Sequence, residues 1–413
     1  MTTPAASLWR HPAFLRLWGA QTVSTFGARI AREGLPMTAV LALKAPPAAM
    51  GSLAAVGLAA YALVGVAAGP LADRAPRRAL MIAADLGRAA VILAVPIAAL
   101  AHMLSIAGVA VALALMSGLT VVFDVADHAF LPSLVEGNQL VDGNAKLAAT
   151  DAAAEVGGPA VAGALIQLVS APVAVGVSAL TYLGSALLRA ALPRAERRAP
   201  AAAQPGALNP LAGARIVLAH PVVRPIWLMA VVGDFFGWFI GALYILYALQ
   251  VLKLTPAALG ITIAAGGVGA LAGAAIAPAV TRRLGAGPAI VASGLAMALA
   301  ALLIPLAGGA PLVAMGVLIA AQLLGDALRT VMQIGQTSLR QRLVPPQELG
   351  RAAGAFATGQ GLAGVAGALI GGALGGLIGP RETLLIAAAG LAATPLIGLA
   401  SPLWRVGLHD RPE

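Results

Sequence analysis

Long apolar runs, each broken by only a few polar residues, set the pattern of this chain. They fall near 14–43, 48–72, 78–101, 104–132, 140–169, 171–192, 222–252, 257–280, 287–308, 311–339, 349–378 and 382–404. A helix of about twenty apolar residues crosses ~30 Å of hydrocarbon. The pattern therefore predicts an all-α polytopic membrane protein with twelve transmembrane helices. The long polar interruption, from Arg194-Ala195-Glu196-Arg197-Arg198 to Pro210, reads as a solvated linker, and Leu211–Ala219 as a short surface helix. The expected organisation is a six-helix bundle over 1–192, a cytoplasmic linker with its surface helix over 193–221, a second six-helix bundle over 222–404 and a tail over 405–413.

The two bundles are copies. At an offset of 209 residues, His11-Pro12 falls on His220-Pro221, Trp18 on Trp227, Leu134-Val135 on Leu343-Val344 and Gly163-Ala164-Leu165 on Gly372-Ala373-Leu374. Around Gly69–Arg78 the offset becomes 208, placing Pro70 on Pro278, Arg74 on Arg282 and Asp73 on Thr281. Parallel repeats with a substrate held near the midplane between them are a transporter arrangement.

Composition strengthens the membrane reading. The chain is 60% hydrophobic and 10% charged, well beyond the ~45–50% apolar content of soluble domains. Its 49 glycines suit helices that pack closely where lipid gives no hydrophobic drive to association. Cysteine is absent and His11, His102, His128, His220 and His409 are scattered, so no metal or cofactor is expected. The net charge of +10 would suggest nucleic acid in a soluble protein, but its distribution follows the membrane. If Asp73–Arg78 is cytoplasmic, Arg10, Arg16, the Arg189–Arg224 cluster, Arg282, Arg283, Arg340, Arg342, Arg351, Arg405 and Arg411 share its side, and only Lys44, Lys253 and Arg381 face away. The positive-inside rule then puts both termini in the cytoplasm, in a bacterial-type inner membrane, with no nucleic-acid partner and a monomeric chain expected. No Gly-Lys-Ser/Thr phosphate loop is present, since Lys44, Lys146 and Lys253 follow Leu, Ala and Leu. The run Gly267-Val268-Gly269 with Gly273 reads as helix packing.

Ionisable residues at membrane depth mark candidate chemistry. In span 1, Gln21, Thr25, Arg29, Arg32 and Glu33 recur at three- and four-residue steps and share a face. Two readings stand: Arg29 and Arg32 hold an anionic group, or they form an ion-pair cluster with a neighbouring helix. Span 4 offers Asp124, with Asp127 and His128 nearer its cytoplasmic end; span 10 offers Asp326, Arg329, Gln333 and Gln336. Asp124 maps to Gln333 and Asp127 to Gln336, so one face is polar in both copies. Asp151 and Glu155 lie a turn apart on span 5, and Glu155 is the leading proton site, with Glu33, Asp151 and Asp234 as further candidates. Glu155 also reads as a partner of Arg29 or Arg32. In span 7, Asp234 sits among Trp227, Phe235, Phe236, Trp238, Phe239, Tyr244 and Tyr247, a packing group or a wall for a hydrophobic or cationic compound. Asp85 and Arg88 read as an anchoring pair.

Gly69-Pro70-Leu71-Ala72-Asp73-Arg74-Ala75-Pro76-Arg77-Arg78 resembles the loop signature of the major facilitator superfamily, with Pro76 where that signature has glycine. Phe14-Leu15-Arg16-Leu17-Trp18 with Ser24-Thr25-Phe26-Gly27, Leu131-Pro132-Ser133-Leu134-Val135 running to Asn144, and Leu339-Arg340-Gln341 to Gly350-Arg351 resemble its enterobactin-exporter and macrolide-efflux branch. Ala28 stands where many relatives carry an acid. Gly158-Pro159 resembles the span-5 motif of antiporters, departing from it at Ala154 and Ala162. The resemblance implies a gating role for Gly69, Asp73, Arg74, Arg77, Arg78, Gly158 and Pro159, with Asp73 latching the cytoplasmic ends of the halves.

Together these point to a secondary transporter, not an enzyme, that exports a small amphipathic, cationic or drug-like compound by alternating access and proton antiport. Substrate-binding candidates are Gln21, Thr25, Arg29, Arg32, Asp124, Asp234, Phe235, Trp238, Asp326, Arg329 and Gln333. The alternatives are an exporter or flippase of an anionic or zwitterionic molecule, such as a siderophore or lysophospholipid, and a membrane enzyme or sensor on the same scaffold.

Overall fold

The computed structural model describes residues 8–128, 130–135, 138–192 and 210–407, without the side chains of 66–74, 128, 133, 138 and 210–212. The side chains of Asp73, Arg74 and His128, the linker 193–209 and the tail 408–413 thus lie outside the described residues, as does the surrounding of Gly69.

The first copy comprises α1 (Pro12–Leu41), α2 (Pro47–Arg74), α3 (Arg77–Leu100), α4 (Ile106–His128), the one-turn α5 (Leu131–Leu134), α6 (Asn138–Leu168) and α7 (Ala171–Ala190). The second comprises α8 (Pro210–Ala219), α9 (Val223–Leu246) closing in a π turn to Val251, α10 (Pro256–Leu284), α11 (Ala286–Leu306), α12 (Pro311–Leu343), α13 (Leu349–Leu377) and α14 (Pro380–Leu399). Among the described residues, ten of the long helices are apolar enough to cross a membrane. α1 and α6, whose sequences include Arg29, Arg32 and Glu33, and Asp151 and Glu155, are long enough but fall outside that apolar set. One boundary departs from expectation: α2 stays helical through Arg74, which leaves only Ala75 and Pro76 between it and α3.

Local sequence explains the ends. Proline, whose missing N–H costs nothing in a first turn, opens α1, α2, α10, α12 and α14. His11 Nδ1 accepts from Phe14 N at 3.2 Å, and its repeat partner His220 accepts from Val222 N and Val223 N, both at 3.2 Å. After α1, Lys44 takes φ 51° and Ala45 N donates to Ala39 O; after α9, Lys253 takes φ 56° and Leu254 N donates to Ala248 O. Both are left-handed C-terminal caps, at positions 209 apart, where glycine is the usual residue.

The chain separates into two units, Met1–Ala45 with Val56–Ala202, and Pro46–Ala55 with Ala203–Glu413. Within the first, α1 packs on α6 and α7, and α3 on α4 and α7. Within the second, α9 packs on α13 and α14, and α11 on α12 and α14, the same pairings one repeat later. Small residues set the approach: a methyl group on Gly269 or Gly273 of α10 would run into the carbonyls of Leu323 or Ala327 on α12. The outside is apolar, with Leu63, Leu100, Leu312 and Leu377 well exposed, as suits helices bathed in hydrocarbon.

Candidate functional site

The first unit encloses a cavity of about 750 Å³ between α1, α3, α4, α6 and α7, with Tyr61 of α2 at its wall. Gln21, Thr25, Arg29, Arg32, Asp124, Asp127 and Asp151 all line it, so the polar stripes of α1, α4 and α6 do meet. Thr25 Oγ1 donates to Asp151 Oδ1 at 3.3 Å. Arg29 Nη1 lies 2.6 Å from Glu155 Oε2, and Arg32 Nη2 donates to Glu155 Oε1 at 2.9 Å. Arg32 Nε also donates to the buried Glu33, at 2.8 Å. Glu155 is therefore held by two guanidiniums from α1. Gly158 makes that possible: a methyl group there would overlap Arg29 Cβ, so its absence brings the stem of Arg29 down onto α6, one turn from Glu155.

Deeper in the same unit lies a network of which the sequence showed only the Asp85–Arg88 pair. Asp85 of α3 is 0% exposed and accepts from Ser24 Oγ (3.2 Å), Ser185 Oγ (2.7 Å) and Arg88 Nη2 (2.8 Å). Arg189, grouped by sequence with the basic residues of the cytoplasmic linker, is instead 0% exposed beneath α1, α3 and α4. Its Nε lies 3.6 Å from Asp85 Oδ2, Nη1 donates to Asp127 Oδ1 at 3.1 Å and Nη2 to Gln21 Oε1 at 2.8 Å. Asp127, placed by sequence near the cytoplasmic end of span 4, is thus half of a part-buried ion pair. The guanidiniums of Arg88 and Arg189 also lie over Phe123, at 4.0 and 4.6 Å. Two buried pairs satisfy one another's charges, the arrangement that tolerates ions away from water. A signal for Arg189 was present: Ser178, Tyr182, Ser185 and Arg189 recur at helical steps along α7, all buried. Its position beside the basic linker concealed it.

The second unit holds a smaller cavity of about 250 Å³, lined by Asp234, Trp238, Asp326, Arg329 and Gln333 together with Gln336 and Gln360. Gln360 Nε2 donates to Asp234 Oδ2 at 2.8 Å, and Arg329 Nη2 stands 4.0 Å from Asp234 Oδ1. Thr25 and Asp234 are repeat partners, as are Asp151 and Gln360, so one inter-helix hydrogen bond occurs in both copies with its acid on opposite helices. Phe235 is not among the lining residues: it packs on Phe236 and Phe239 at 5.0 and 5.3 Å, its carbonyl against Gly367. Of the expected gating residues, Arg78 donates from Nε to Arg189 O at 2.9 Å and from Nη2 to Ala190 O, closing the last turn of α7. Pro159 lies inside α6, and Arg77 begins α3. No cluster of three or more metal-ligating His, Cys, Asp or Glu occurs among the described residues.

A duplicated bundle of long apolar helices, with ionisable side chains gathered around internal cavities, defines a membrane transporter. Residues 17–368 match the sequence profile of the Major Facilitator Superfamily, and the chain belongs to that family. It is a multi-pass transporter of small molecules rather than an enzyme. Among solved structures it resembles the nucleoside transporter NupG (TM-score 0.72, 14% identity, 94% of this chain and 98% of that one). It also resembles a bacterial homologue of the iron transporter ferroportin in an inward-facing state (0.71, 17%, 94% and 98%). A third is a bacterial homologue of the human lysosomal transporter Spinster, inward-facing and occupied (0.75, 13%, 99% and 100%). At these identities the likeness concerns the fold. Among curated proteins, none matches the sequence at a significant level.

Proposed function

We propose that this protein exports a small amphipathic cation from the cytoplasm in exchange for protons, by alternating access across twelve spans. We place it as a monomer in a bacterial-type inner membrane with both termini cytoplasmic, within the efflux branch whose stretches its sequence resembles. The observation that carries this reading is the grip of Arg29 and Arg32 on Glu155 beside a cavity with an excess of carboxylates. Glu33, Asp85, Asp124, Asp127, Asp151 and Glu155 stand in and around it against Arg29, Arg32, Arg88 and Arg189. Such a surround favours a cation when Glu155 is ionised. A proton on Glu155 frees two guanidiniums, raises the local charge by one and repels the cation, which is the exclusion that antiport requires. An anionic or zwitterionic substrate is less well served, because Arg29 and Arg32 already face carboxylates.

The test uses proteoliposomes holding an imposed pH gradient and tetraphenylphosphonium as cargo. Glu155→Gln should abolish gradient-driven accumulation while cation binding stays detectable. Undiminished accumulation in that variant removes Glu155 from coupling, and a wild type that moves only catecholates or lysophospholipids overturns the cationic reading.

A further inference from the structure

In the second unit's cavity one carboxylate oxygen is held by charge without a hydrogen bond. Gln360 Nε2 of α13 donates to Asp234 Oδ2 at 2.8 Å, and among the described residues no donor reaches Oδ1. What faces Oδ1 is Arg329 Nη2 of α12, at 4.0 Å, where opposite charges attract but no hydrogen bond forms. The two side chains differ in freedom. Arg329 is 53% exposed on a long stem with several rotors, whereas Asp234 is 24% exposed on a short one and its other oxygen is tied to α13.

Among the described lining residues the charged ones are Asp234, Asp326 and Arg329, two carboxylates against one guanidinium. Asp326 lies against α10, where a methyl group on Gly266 would overlap its carboxylate. The lining thus keeps one negative charge beyond what Arg329 balances, and Arg329 is the part of it that can yield. A cation bearing an N–H can make the hydrogen bond at Oδ1 that Arg329 does not make, and a bond between ions is roughly twice as strong as a neutral one. Trp238, Met297 and Met332 in the same lining supply contact for an apolar body.

We propose that Arg329 is a tethered stand-in for the cargo: its guanidinium balances Asp234 between cargoes and swings aside when a cation with an N–H binds at Oδ1. The favoured substrate class is an ammonium or amidinium that keeps at least one N–H, on an apolar body; quaternary cations reach the site by charge alone. This rests on the reading of the protein as an exporter of amphipathic cations.

A matched pair of probes tests this: 3-phenylpropylammonium, which has N–H groups, and its N,N,N-trimethyl analogue, which has none. Equilibrium binding is measured on the full chain in nanodiscs. Arg329→Gln removes the stand-in and should tighten binding of the ammonium about fivefold, the upper span of a part-exposed ion pair, and that of the trimethyl analogue by less. A positive charge acting only at a distance would, on removal, tighten both alike. Adding Asp234→Asn to Arg329→Gln should erase the gain. On wild type, where no substitution can disturb the fold, modification of Arg329 by phenylglyoxal, followed by mass spectrometry, should quicken when the ammonium binds. Unchanged or weaker ammonium binding in Arg329→Gln, equal gains for the two probes, a gain that survives Asp234→Asn, or modification that does not quicken overturns the stand-in and leaves cation export standing. A wild type that binds neither cation overturns the export reading and the stand-in with it.

Discussion

Gly158 holds the first unit's ion cluster in place through what it lacks. With any β-carbon there, α1 and α6 must separate, since the methyl would overlap the arginine's own Cβ, which no change of rotamer can move. Gly158→Ala should cost about 1–3 kcal/mol of stability, the usual range for overpacking, and should slow gradient-driven transport by loosening the Arg29–Glu155 pair. Thermal unfolding of the purified variant, set beside proteoliposome transport, checks both; an unchanged midpoint with wild-type rates would refute the positioning role. The glycine and the charges were legible in sequence because polar stripes at three- and four-residue steps stand out against apolar helices. Arg189 was not, because a basic residue at the end of a span looks the same whether it snorkels to water or turns inward to Asp85 and Asp127.

Helix ends were more easily read than helix faces. Caps depend on a few adjacent residues, and the apolar runs alone placed the starts of the long helices within two residues of those observed. Faces depend on tertiary contacts: of the two sequence readings of Phe235, packing group or binding wall, mutual packing with Phe236 and Phe239 and a glycine of α13 decide for the first. The α9 cap also brings a dependence on acidity. His220 Nδ1 serves as an acceptor for two backbone donors, and burial lowers its pKa from the ordinary value. The unfolded chain therefore takes up this proton at a higher pH than the folded one, so stability falls as pH drops through about 6.5. Thermal midpoints measured between neutral and mildly acid pH should decline for wild type. His220→Asn, which keeps an acceptor without a titrating ring, should flatten that part of the profile; an equal decline in both would dismiss the cap as its source.

Across the whole molecule, the copies agree in framework and differ in chemistry. At the offset of 209, Asp85, Arg88 and Arg189 fall on Gly294, Met297 and Gly398, while Asp127 falls on Gln336 and Phe123 on Met332. The space that holds two ion pairs in the first unit is filled in the second by Met229, Met297 and Met332, all nearly buried. Under the proposed exchange, coupling would then fall to the first unit, and Asp234, bonded to Gln360, would serve the cargo. Asp234→Asn should weaken binding of tetraphenylphosphonium severalfold while the number of protons exchanged per cation stays as in wild type. Loss of gradient drive in that variant, with binding intact, would move the coupling group to the second unit.

The lysine caps separate what the two copies share from what they do not. Lys44 and Lys253 share an uncommon backbone conformation, and each is followed by the same six-residue hydrogen bond. A peculiarity held by both copies belongs to their common ancestor, whereas ions in one and thioethers in the other mark divergence after that ancestor doubled. The framework is what the two copies share, and the ion pairs are what one of them holds and the other lacks.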